Sequence, residues 1–138
     1  MRREIKALII EDDQQRCHDL KVIMDLLGET SVAASSGDGK QKATEGFESS
    51  NEVVAVLLGG IESDFALETV LADLNAWDSG VPVLLVGDME VQEDSDATLR
   101  RMVIGNISLP PSYNQLLGSL HRAQLYREQY ENMRSRGK

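Results

Sequence analysis

Residues 53–63 read VVAVLLGGIES. Six consecutive apolar residues, three of them valine, suit a β-strand, and the lack of alternation marks a strand covered on both faces, as in the middle of a parallel sheet. Two glycines end the run. Working outward, strand-like runs recur at Ala7–Ile10, Thr30–Ala34, Val81–Val86 and, more weakly, Asn106–Leu109. Helix-period segments separate them. From Glu11 to Gly28, Cys17, Leu20, Met24 and Leu27 fall on one face, and the closing glycine suits a left-handed cap. Ser63 or Asp64 can cap a helix in which Leu67, Val70, Leu71, Leu74 and Trp77 recur at threes and fours. Shorter, more polar helices are expected at Gly39–Phe47 and Glu93–Val103. The alternation predicts an α/β domain of (βα)5 type, and right-handed crossovers make it a doubly wound parallel sheet.

A chain of 138 residues fits one domain with a real core. No apolar run approaches the roughly 20 residues of a membrane span, and the start MRREIKALII has too short an apolar part for a signal peptide. The single cysteine, Cys17, leaves no intrachain disulfide. A cytoplasmic location is the expectation. The net charge of −9 is unevenly spread: residues 122–138 hold five Lys/Arg against two Glu, which leaves −12 on residues 1–121. Such a body repels a nucleic-acid backbone, so no direct nucleic-acid binding is expected.

The last helix is long. From a cap at Ser112 the pattern runs on for about 22 residues, or roughly 33 Å, and Leu116, Leu120, Ala123, Tyr126, Tyr130 and Met133 form one stripe. That length exceeds the depth of the domain. The stripe therefore supplies interface candidates, with a homodimer the expected use, and the chain divides into a domain at 1–122 and, at 123–138, a helical extension with the start of a linker.

An open sheet of this kind places its working site at the carboxyl ends of the strands. There the sequence puts Glu11, Asp12 and Asp13 after the first strand, Gly59 and Gly60 after the third, Gly87 and Asp88 after the fourth, and Leu109-Pro110 after the fifth. LIIEDD, VPVLLVG and the Leu-Pro pair together resemble the receiver domains of bacterial two-component response regulators, a CheY-like, flavodoxin-like fold. The resemblance covers about residues 5–122. In a working receiver, three carboxylates hold Mg²⁺, an Asp ending the third strand attacks a phosphoryl donor, and a Thr/Ser and a Lys bind the new phosphoryl oxygens. Here the acid pair matches Glu11 and Asp12. The acceptor falls on Gly59, which has no nucleophile; the hydroxyl position falls on Gly87, the Lys on Leu109, and the switch aromatic on Asn106. The resemblance thus implies a degenerate receiver, with no catalytic residue and no cofactor, and Glu11 and Asp12 as at most a weak metal candidate.

A narrower likeness lies in LLGGIES (57–63), PPSYNQLLGSLHRAQLYREQYE (110–131) and LGE (27–29). These resemble the amino-terminal domain of the FleQ and FlrA flagellar master regulators. The resemblance implies a sigma-54-dependent activator in which this domain precedes an AAA+ ATPase and a helix-turn-helix DNA-binding domain, with cyclic di-GMP and an antagonist ATPase as regulators. Its own role would be regulation and dimerisation, not enzymatic.

Two rival functions follow from the same residues. A displaced carboxylate among Glu62, Asp64 and Asp88 could accept a phosphoryl group with Mg²⁺, or the domain could sense cyclic di-GMP itself, against which stands an acidic rim without an arginine pair. SSGDGK at 35–40 lacks the spacing of a phosphate loop, with Ala34 at the first glycine position and Gln41 after Lys40. His18, His121 and Trp77 read as structural, and Cys17 as a buried thiol.

Overall fold

The computed structural model describes residues 6–34, 53–61, 63–91, 93 and 95–136. Five strands, β1 (Lys6–Glu11), β2 (Thr30–Ala34), β3 (Val53–Gly59), β4 (Val83–Val86) and β5 (Val103–Ile107), form one sheet in the order β2-β1-β3-β4-β5. All pairings are parallel. Four helices are described: α1 (Gln14–Leu26), α2 (Asp64–Trp77), α3 (Ala97–Met102) and α4 (Tyr113–Arg136). The helix expected at Gly39–Phe47 and the segment 35–40 lie outside the described residues.

Alternate residues of the central strands feed two cores, as the two-residue period of a strand requires. Leu8, Ile10, Val56, Leu58, Val83 and Leu85 meet Leu67, Val70, Leu71 and Leu74 of α2 on one face. On the other, Ala7, Ile9, Ala55, Leu57, Leu84 and Val86 meet Leu20 and Met24 of α1 and Leu116, Leu120 and Ala123 of α4. Every residue of β3 is buried. Each fully buried leucine contributes about 1.5–3 kcal/mol, far above the few tenths that separate helix propensities, so burial decides where the helices lie.

Local chemistry sets the helix ends. Asp13 accepts from Arg16 N, Ser63 from Ala66 N, and Ser112 from Gln115 N at 3.0, 3.1 and 3.2 Å, each a side-chain N-cap. At the end of α1 the Gly28 and Glu29 amides reach the Asp25 and Met24 carbonyls, both at 3.0 Å, with Gly28 at φ +75°. That is the Schellman stop the glycine predicts.

Several boundaries differ from the sequence reading. The fifth strand is Val103–Ile107, not Asn106–Leu109, and the helix before it covers only Ala97–Met102. β5 is an edge strand and mostly half-exposed, so VIGNI carries no apolar run to betray it. Helix α1 starts three residues later than expected because Glu11 is still paired, opposite Gly59, as the last residue of β1.

Candidate functional site

The carboxyl ends of β1, β3 and β4 bring Glu11, Gly59, Gly60 and Gly87 to one rim. Glu11 is 4% exposed although it is a carboxylic acid at a strand end. Its Oε1 accepts the Asp13 amide at 3.0 Å and lies 3.6 Å from Arg16 Nη2, whereas Oε2 is buried without a hydrogen-bond partner. Burial pushes the Glu11 carboxyl above its ordinary range; the Asp13 amide and the Arg16 charge pull the other way.

The two glycines explain where this side chain goes. A Cβ built on Gly59 would overlap Glu11 Oε2 and lie 3.1 Å from Val86 Cβ. One built on Gly60 would overlap Glu11 Oε1 and come to 3.1 Å from the Asp12 amide nitrogen, and Gly60 itself sits at φ +69°, where L side chains are strained. The Glu11 carboxyl group therefore occupies the volume that a side chain at either position would need.

Beside it lies an open cleft of about 280 Å³ lined by Arg16, Gly60, Ile61, Val86, Gly87, Asp88, Met89 and Leu109. Leu109 packs 3.5 Å from where a Cβ on Gly87 would stand, so an apolar branch fills the side of the cleft. Asn106 is exposed and donates from Nδ2 to the Met89 carbonyl at 3.0 Å. No group of three His, Cys, Asp or Glu among the described residues has the arrangement of a metal site. Mg²⁺ wants near-octahedral oxygens, and the donors here do not fit it: one Glu11 oxygen is engaged by a backbone amide and the other is enclosed, while Asp12 is exposed. Of the displaced carboxylates, Asp88 is exposed on the cleft, while Glu62 and the Asp64 side chain lie outside the described residues.

Fold and rim together fit one family, and its model, described as flagellar regulatory protein FleQ, matches residues 6–125. The chain belongs to the FleQ family. Among solved structures, a response regulator receiver domain protein from Clostridium thermocellum is 15% identical with a TM-score of 0.73, covering 91% of this chain and 98% of its own. A CheY-like receiver domain protein from Methanospirillum hungatei is 20% identical at TM-score 0.67, over 93% of this chain and 99% of its own. NtrX from Brucella abortus, solved in complex with ATP, is 14% identical at TM-score 0.73; 96% of this chain matches 29% of that one. The FleQ-family domain thus has the receiver fold, as its strand order requires.

The stripe on α4 behaves differently from the sequence reading. Leu116, Leu120 and Ala123 are 0% exposed against the sheet, which removes them as interface candidates: they are core. Further out, Tyr126 and Tyr130 are half-buried on their own domain. Tyr126 Oη donates to the Arg101 carbonyl at 3.3 Å, and Tyr130 Oη shares a 2.8 Å bond with Ser79 Oγ while its ring covers Gly80. The side chain of Met133 lies outside the described residues. Packing on the domain therefore continues to Tyr130, past residue 122. Among the described residues, the exposed large apolar residues of α1 and α4 are instead Val22, Leu26, Tyr113 and Leu125, with Leu26 and Leu125 70% and 59% exposed.

Arg127, which the sequence offers with the neighbouring arginines for acidic surfaces of a partner, is instead 5% exposed and forms a two-pronged ion pair with Asp78 of its own domain, Nη1 to Oδ1 at 3.1 Å and Nη2 to Oδ2. An arginine in the apolar register of the stripe, three residues before Tyr130, was its only signal. Cys17 is half-buried; burial and the nearby Glu11 charge push its thiol up. His18 and His121 are exposed, and Trp77 packs against the α2 core.

Proposed function

We propose that this FleQ-family domain is a pseudo-receiver: a cytoplasmic regulatory domain of a sigma-54-dependent activator of flagellar genes that takes no phosphoryl group. Glu11 supports this reading most directly. Its carboxyl group stands in the volume beside Gly59 that a receiver's acceptor Asp would use, and Gly59 itself carries no nucleophile. Gly87 and Leu109 supply neither the hydroxyl nor the ammonium with which a working receiver binds its phosphoryl group.

Control then arrives by contact. The domain acts through α4, which leads toward a following AAA+ ATPase and a helix-turn-helix domain, with an antagonist ATPase as a further partner; ligand or partner binding elsewhere shifts how this domain packs. Self-association belongs to the same reading, with Leu26 and Leu125, the two most exposed large apolar residues among those described, as candidates to serve it.

Amide NMR spectra recorded without additive, with Mg²⁺, and with Mg²⁺ plus beryllium fluoride test the proposal. Resonances of Glu11, Asp12, Gly59 and Gly87 should hold still throughout. Saturable, Mg²⁺-dependent shifts with beryllium fluoride would overturn it and direct attention to Asp88 and its neighbours.

A further inference from the structure

Beyond Ala123, helix α4 has no sheet beneath it, yet it remains attached. Two short segments supply attachments for it among the described residues. Arg127 pairs with Asp78, whose Oδ1 also accepts the Gly80 amide at 3.0 Å; Tyr130 covers Gly80 and bonds Ser79; and Tyr126 bonds the Arg101 carbonyl. Residues 78–80 lead directly into β4, and Arg101 stands two residues before β5. The far ends of those same strands carry Gly87 and Leu109 to the rim.

We propose that the buried Arg127–Asp78 pair, backed by Tyr130 on Gly80, is a latch that sets the direction in which α4 leaves the domain. Arg127 is a positioning residue, since its planar fork matches the carboxylate in two places and a lysine could not do the same. Replacing the ring of Tyr130 or adding a side chain at Gly80 changes the same joint. The inference rests on the reading of α4 as the output element, but its test does not depend on phosphoryl chemistry.

Amide hydrogen exchange of the chain, residue by residue, tests the latch in three variants: Asp78→Asn, Arg127→Lys and Tyr130→Phe. The first two should speed exchange of α4 amides after Ala123 by about tenfold or more, while β3 and α4 before residue 120 keep wild-type protection, as expected for a local opening. Tyr130→Phe keeps the ring and loses only the Ser79 bond, so it should fold normally and show a smaller increase in the same segment. Unchanged exchange after Ala123 in all three variants overturns the latch. So does a parallel rise in β3, which would make the pair an ordinary part of one cooperative core. Failure of the proposed pseudo-receiver function would appear separately, as beryllium fluoride binding by the wild-type chain.

Discussion

The Glu11 carboxyl group lies where a side chain on Gly59 would grow, and the two residues exclude each other. They face one another as the paired last residues of β1 and β3. A long acid folded inward requires a neighbour with no Cβ.

Gly59→Ala should therefore destabilise the domain by roughly 1–3 kcal/mol through overpacking. Glu11→Ala should remove most of that penalty, giving a favourable coupling of at least about 0.5 kcal/mol in a double-mutant cycle by urea unfolding. Additive costs would show that the two side chains do not compete. By the same geometry Gly59→Asp alone creates no working acceptor, and acetyl phosphate with Mg²⁺ should leave its mass unchanged.

Glu11 also makes stability depend on pH. Its folded-state carboxyl titrates above the ordinary 4.5, chiefly through burial. The folded chain holds that proton more tightly than the unfolded chain, so the contribution is fully present below 4.5 and is lost as pH rises through the raised value. Glu11→Gln keeps the acceptor for the Asp13 amide without the charge. Its stability relative to wild type should rise with pH in that window, and urea unfolding across it would show the difference as a slope.

The Arg127–Asp78 pair should respond asymmetrically. Asp78→Ala leaves a buried guanidinium without its carboxylate and should weaken the attachment of α4 after Ala123 by about 3–5 kcal/mol, an opening confined to that segment, whereas replacing both residues with apolar ones of similar volume should cost much less. Amide exchange after Ala123 in the two variants decides it; equal increases would mean the carboxylate matters only through its bond to the Gly80 amide.

Gly80 offers a steric check on the same joint. A Cβ there would overlap the Tyr130 ring, with Cζ 3.0 Å away. Gly80→Ala should displace the ring and increase tyrosine fluorescence quenching by solvent. In a Tyr130→Ala background it should be nearly neutral.

Cys17 should react slowly. Its thiol is half-buried, and burial with the Glu11 charge raises its pKa above the ordinary 9.0, which lowers the thiolate fraction at neutral pH. Iodoacetamide should label the urea-unfolded chain much faster than the folded one. Equal rates would show an open thiol.

Much of this molecule was readable in one dimension. VVAVLLGG and VPVLLVG announce central strands because residues buried on both faces must all be apolar, and that constraint is written in consecutive letters. Gly28, Ser63 and Ser112 mark helix ends because caps act over three or four residues. The residues of the rim were equally plain, since glycine at 59 and 87 and leucine at 109 are a matter of residue identity. The weak edge strand β5 was misplaced by several residues because an exposed strand has no burial pattern to display. Tertiary structure alone decided that Glu11 turns inward between two glycines, that Leu116, Leu120 and Ala123 belong to the core, and that Arg127 finds Asp78, 49 positions earlier in the chain. Those outcomes depend on which surfaces meet, and pairings between distant segments leave no periodic trace in either one.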